Sequence, residues 1–211
     1  SGRPPMTDPA MSEPRPGHGE SWLFATMLAS AFLSLIASFV LSVDAVALAA
    51  NPNTALSCNI NATISCGTVA TSWQASVFGF PNAFLGLIAE PVVITIAVAS
   101  LAGVRFPRGF MLAAQTVYTL GFAFAYWLFY EAVFNIGALC PWCLLVTVST
   151  TGAFASLTRH NIAHNNLHLP PRLNARLQTG LRWGLDRLIV GLWLLALAAF
   201  LVIRYGNALI A

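Results

Sequence analysis

The sequence predicts an all-α protein built inside a membrane, and three observations predict it. Hydrophobic residues make up 57% of the chain and charged residues only 8%, where an ordinary soluble domain carries about 25% charge. The apolar residues are gathered into five runs long enough to cross a bilayer, which takes roughly 20 residues of helix. The basic residues are 10 in number and all arginine, and those that lie between the runs fall in alternate connections. A soluble core of this size cannot absorb so much apolar surface. Inside lipid, a backbone that bonds within itself is the simplest solution, so the runs are read as helices.

The first run, 22–43, carries no charge. The second, 83–101, is interrupted only by Glu90 and Pro91. The third, 110–130, is uncharged and stops at Glu131. The fourth, 136–157, is also uncharged. The fifth, 188–203, is the shortest, and Arg187 and Arg204 bracket it. Arginines at both ends can snorkel to the two interfaces, which makes a short span tolerable.

Arginine placement orients the spans. The connection from 50 to 82 has none, the next has Arg105 and Arg108, and 135–140 again has none. The last connection holds Arg159, Arg172, Arg176, Arg182 and Arg187. Basic loops stay in the cytoplasm, so the amino terminus is expected inside and the arginine-free loops outside. The chain then divides into a polar cytoplasmic segment 1–21 and a four-helix unit 22–158 with an outer loop 51–81. A basic cytoplasmic linker 159–187 and a fifth span with an outer carboxyl terminus, 188–211, complete it. Within the outer loop, 72–80 mixes apolar and polar residues without charge and suits a short helix at the interface. The linker is expected to be partly helical. The location is a cell (inner or plasma) membrane, crossed several times. The net charge of +3 is small, and no nucleic acid is expected among the partners.

The cysteines carry the chemistry. Cys58 and Cys66 lie in the outer loop, and Cys140 and Cys143 at the outer end of the fourth run. Both pairs therefore share the side where disulfides persist. Cys140-Pro141-Trp142-Cys143 opens a helix, with proline suited to its first turn. A helix amino terminus stabilises a nearby thiolate, the form that attacks disulfides. A structural disulfide and a four-thiolate zinc site are the alternatives, since this spacing alone is only a moderate redox signal. One pair on a loop and one at a helix tip beside the bilayer suggest a relay from a soluble protein to something dissolved in the membrane. Each disulfide carries two electrons, which matches a two-electron acceptor such as a quinone.

Other residues have competing readings. Asn82, after Pro81, is as readily a helix cap as a ligand. Glu90 lies inside a span, where an acid is functional or paired; a helix–helix hydrogen bond beside the Pro91 kink is preferred to proton delivery. Asp44 and Glu131 stand near outer span ends, where solvation is easier. His160, His164 and His168 are four apart and would line one helix face, but in an asparagine-rich linker they read as solvated, and no metal site is expected.

Ala-Leu-Ser-Cys58, then Ile-Ser-Cys66, then Phe78-Gly79-Phe80-Pro81-Asn82-Ala83, then Gly-Ala-Leu-Cys140-Pro-Trp-Cys143 together resemble the vitamin K epoxide reductase family, most closely its bacterial, actinobacterial-type members. The resemblance covers roughly 22–157. It implies a four-helix transmembrane bundle around a quinone site, capped by a short outer helix, with a fifth helix beside it. It also implies a thiol–disulfide oxidoreductase that makes disulfides for secreted proteins, with a membrane quinone, menaquinone or similar, as electron acceptor. By position, Cys143 faces the quinone, Cys140 exchanges with Cys66, and Cys58 exchanges with the partner. Asn82 matches the asparagine that hydrogen-bonds a quinone oxygen, and Ser72 a hydroxyl residue that assists the relay. Two departures matter. The animal enzymes have tyrosine where this chain has Thr147, so quinone reduction is expected rather than epoxide chemistry. Some bacterial members continue into a fused thioredoxin-like domain after the fifth span; here the sequence stops at Ala211, and the partner is expected to be a separate secreted or membrane-anchored thioredoxin-like protein. The rival readings are a non-enzymatic membrane scaffold with structural disulfides and a cysteine-based metal transporter.

Overall fold

A computed structural model describes residues 18–210; most of the predicted segment 1–21 lies outside them. Among the described residues the chain is helical, and its only β pairing is an isolated parallel bridge. Seven α-helices follow in order: α1 His18–Ala50, α2 Cys66–Ala70, α3 Ala83–Leu101, α4 Arg108–Tyr130, α5 Pro141–Ala163, α6 Pro171–Arg182 and α7 Leu185–Ile210. A 3-10 turn covers Trp73–Ser76, and α4 continues into a π-helix over Glu131–Ile136.

Helix α1 packs along α3 and α5, and α5 packs on α4, so α1 and α5 form the middle of the bundle. Small residues set the close approach. A Cβ on Gly86 of α3 would lie 2.1 Å from Ser38 Oγ of α1, and one on Gly152 of α5 would lie 2.5 Å from Ser30 Oγ. Between helices in lipid, such contacts replace the hydrophobic drive that water supplies to soluble proteins. The half of the bundle away from the cysteines is filled by Phe24, Met27, Ala31, Ile96, Ala97, Met111 and Leu157. Its end is closed by Arg108, whose guanidinium donates to the Asn165 and Asn166 carbonyls.

Among the described residues, four helices are long and apolar enough to cross a membrane: α1, α3, α4 with its π extension, and α7. The expected fourth span, 136–157, differs. Its residues 141–157 lie in α5, a helix of 23 residues, while Ile136 still belongs to the π-helix, and Thr147, Ser149, Thr150, Thr151 and Ser156 are buried along α5. Its polarity is turned toward neighbouring helices, and hydroxyls such as Thr147 and Thr151 donate to carbonyls one turn back. Glu90 is buried in α3, where Tyr118 Oη lies 3.4 Å from its Oε1, so a link to α4 is present.

Three local expectations change. The short outer helix expected over 72–80 is a helix at Cys66–Ala70 followed by the 3-10 turn. The histidine face is broken: His160 and His164 stack at 4.2 Å, but α5 is capped at His164 and His168 lies beyond it at φ 50°. Glu131 is not solvated but buried, inside the π-helix. That π-helix ends at Gly137, whose φ of 73° is readily accessible only without a Cβ. The Val133 carbonyl within it accepts from Tyr205 Oη of α7 at 2.9 Å.

Candidate functional site: two cysteine pairs brought together

The two segments that carry the cysteines are aligned just before the cysteines themselves. Leu139 N donates to Thr63 O at 2.7 Å, and Ser65 N donates to Leu139 O at 3.0 Å. These bonds form the parallel bridge between Ile64 and Leu139. The next residue on each strand of the bridge after Ser65 and Leu139 is a cysteine, so Cys66 and Cys140 meet although 74 positions separate them. The loop is prepared for this locally. Asn61 Oδ1 accepts from the Thr63 and Ile64 amides and turns the chain. Ser65 caps α2 by accepting from Thr68 N, and Asn59 Oδ1 accepts from Gly67 N at 2.9 Å.

Cys58 and Cys66 are disulfide-bonded, and Cys140 and Cys143 are free thiols. Cys140 Sγ lies 3.2 Å from Cys66 Sγ, within the contact a thiol makes before exchange. Cys140 is the N-cap of α5, Pro141 occupies its first turn, and Cys140 Sγ accepts from Cys143 N at 3.4 Å. The opening amides of α5 therefore point at the exchanging sulfur, as a thiolate requires. Cys66 and Cys140 are buried together with Cys58 and Leu56, and Leu41, Leu48, Val69 and Trp142 pack around them. Cys58 Sγ lies 3.8 Å from Asp44 Oδ2 of α1.

Asn82 precedes α3, but its side chain does not cap the helix. Its Nδ2 donates to the Gln74 carbonyl at 2.6 Å, and its Oδ1 is buried without a partner. Because a carbonyl can only accept, that bond fixes which end of the amide is which. Ser72 lies just before the 3-10 turn, and its Oγ donates to Val69 O at 2.7 Å, so that donor is used by the backbone. Aromatic rings gather on this cap: Trp73 lies against Trp127, and Phe78 against Phe80 and Phe124.

The structure thus brings Cys58, Cys66, Cys140 and Cys143 into one cluster, and ties Asn82 to the 3-10 turn that follows α2. A cavity of about 150 Å³ lies elsewhere, between Phe24, Arg105, His160 and His164, and none of the cysteines lines it. Sequence reasoning did not single out Gln74 and expected Glu131 near the solvated interface, yet the two are hydrogen-bonded to each other. The acid at the end of an apolar run was the available signal.

The sequence pattern of the vitamin K epoxide reductase family matches residues 25–158, which span all four cysteines and α1 to the end of the fourth predicted run. The chain belongs to the vitamin K epoxide reductase family. No curated protein sequence matches it. Membership makes this a multi-pass membrane oxidoreductase of the thiol–disulfide type, and α6 and α7 lie beyond the matched region.

Proposed function

We propose that the protein forms disulfides in a secreted or membrane-anchored thioredoxin-like partner and passes the electrons to a membrane quinone. The observation that carries this reading is the 3.2 Å approach of the Cys140 thiol to the Cys58–Cys66 disulfide, at the tip of a helix in the bilayer. Structural disulfides have no need of a free thiol held against them.

The relay runs in balanced steps. A partner thiolate attacks Cys58, and Cys66 leaves as a thiolate; the partner's second thiol then displaces Cys58 and completes the partner's disulfide. Cys66 attacks Cys140 of a Cys140–Cys143 disulfide, and Cys143 leaves. Cys58 next attacks Cys66, restoring the loop disulfide and freeing Cys140, which is the bonding arrangement in this structure. The Cys140 and Cys143 dithiol gives two electrons and two protons to the quinone and closes to a disulfide. The sum is partner dithiol plus quinone giving partner disulfide plus hydroquinone.

Asn82 suits both forms of the acceptor. Its second N–H is available to a quinone oxygen, and its unpartnered buried Oδ1 is available to a hydroquinone hydroxyl. An unmet acceptor in a buried site costs on the order of 1–3 kcal/mol, which a ligand would recover. Ser72 assists the relay in this reading by holding the turn between α2 and the cap. Menaquinone or a similar membrane quinone is the expected acceptor.

Purified protein supplied with a small dithiol should reduce a naphthoquinone. Cys58→Ala should stop turnover with a thioredoxin-like protein and spare part of it with the small dithiol, which reaches Cys140 and Cys143 directly. No quinone reduction by the wild type sinks the proposal. Orientation is checked separately in intact cells with a membrane-impermeant maleimide on a cysteine-free background. Asn53 and Ala175 are both exposed. A cysteine at Asn53 should label before lysis and one at Ala175 only afterwards; the reverse pattern puts the cysteine pairs in a reducing compartment and defeats the oxidase reading.

A further inference from the structure

Glu131 is an acid that the relay does not use, yet it is 9% exposed and sits at the centre of a polar network under the cap. Its Oε2 accepts from Gln74 Nε2 at 3.0 Å and from Asn135 Nδ2 at 2.7 Å. Gln74 is itself 7% exposed and lies in the 3-10 turn of the cap. The backbone carbonyl of the same Gln74 accepts from Asn82 Nδ2 at 2.6 Å, and Asn82 N donates to Ala75 O at 2.9 Å. One residue is therefore gripped from both sides, by the π-helix through its side chain and by Asn82 through its backbone.

The backbone geometry serves this arrangement. A π-helix adds a residue to the turn and re-aims the side chains within it, and such segments recur at functional sites. Here Glu131 is the first residue of that segment and Asn135 is on its next turn, so both converge on the cap. Tyr205 of α7 bonds the Val133 carbonyl and helps hold the segment in place.

We infer that Glu131 is the positioning residue of the quinone site: it anchors Gln74, and Gln74 fixes the Asn82 amide in the orientation that leaves Oδ1 and one N–H free for the acceptor. This rests on the proposed quinone reductase reading. Glu131 touches neither the quinone nor the cysteines in this scheme. Its removal should therefore weaken quinone recognition and leave sulfur chemistry intact.

The test uses Glu131→Ala, Gln74→Ala, the double variant and Glu131→Gln in the full chain, with 2-methyl-1,4-naphthoquinone as acceptor. Each alanine variant should raise KM for the quinone by roughly tenfold with little change in kcat, and the double variant should be no worse than either, since the two residues act through one bond. Glu131→Gln keeps an oxygen that accepts from Gln74 and should stay within about threefold of wild type. Thiol exchange between the two cysteine pairs, followed without quinone, should be unchanged in all four. Quinone binding read from tryptophan fluorescence quenching should rank the variants in the same order without turnover. An unchanged KM and unchanged binding in Gln74→Ala, or additive losses in the double variant, overturn the inference. If Glu131→Ala does not insert, Glu131→Gln and Gln74→Ala still decide it. Failure of the wild type to reduce quinone while still binding it in this order defeats the proposed reaction and not the positioning role.

Discussion

Helices α5 and α7 are of similar length, 23 and 26 residues, and meet at the side of the same bundle, yet they are built on opposite rules. Helix α7 is strongly apolar, and no residue in its most hydrophobic stretch is buried in the protein. Helix α5 is more polar, with Thr147, Ser149, Thr150, Thr151 and Ser156 buried, and much of its length is enclosed by α1 and α4. In water, apolar residues mark the inside. In lipid the outside is apolar already, so polar residues mark the inside, where other helices satisfy them. The buried threonines of α5 follow that rule, as does Thr151 bonded to Tyr126 of α4 at 2.8 Å. Tyr126 in turn accepts from Trp193 of α7, so α7 is attached to the bundle through a few polar points and ring contacts such as Phe134 with Phe200.

The sharpest way to break this comparison is to remove one group from each helix. Cys143→Ala on α5 should abolish quinone reduction with any reductant, because the helix-tip disulfide can no longer form, while the protein remains inserted. Leu195→Ala on α7, a residue 65% exposed, should leave turnover within about twofold of wild type, as exposed positions away from special features cost little. Steady-state quinone reduction in detergent checks both. Wild-type-like turnover in Cys143→Ala would show that electrons leave the protein elsewhere, and a large loss in Leu195→Ala would place α7 in the reaction.

The same contrast explains what was legible in the sequence. The apolar helices were readable because lipid exposure imposes a continuous run, and 83–101 coincides with α3. The start of α5 was readable because Cys140, Pro141 and Cys143 obey local rules of a helix amino terminus. The approach of Cys66 to Cys140 was not readable from spacing; it depends on three residues, Thr63, Ser65 and Leu139, whose backbones pair across 74 positions of chain. Resemblance to a family supplied that pairing where the residues themselves left alternatives open. Glu131 misled for a physical reason. An acid after an apolar run is expected at the water interface, but a π turn carries this one inward to Gln74. No hydropathy pattern signals a π turn. The histidine spacing misled in the opposite way, because the helix that would have aligned all three ends at His164.

A smaller effect tests the packing side of the comparison. Gly152 of α5 and Gly191 of α7 are both glycines inside long helices, and both can be changed to valine. At Gly152 the first added carbon alone meets Ser30 Oγ at 2.5 Å and Ser30 Cβ at 3.5 Å, so the serine must rotate and the two further methyl groups must push α1 away. Overpacking of this kind costs roughly 1–3 kcal/mol. At Gly191 an added Cβ has nothing within 4 Å, and the side chain would extend into lipid, with an expected change within about 0.5 kcal/mol. The change in helix propensity is the same at both sites, so the difference between the two variants isolates the helix–helix contact. Thermal unfolding in one detergent should lower the midpoint of Gly152→Val clearly and that of Gly191→Val hardly at all. Equal shifts would mean that α1 and α5 do not approach through Gly152, and that the enclosed position of α5, on which its buried hydroxyls depend, is wrong.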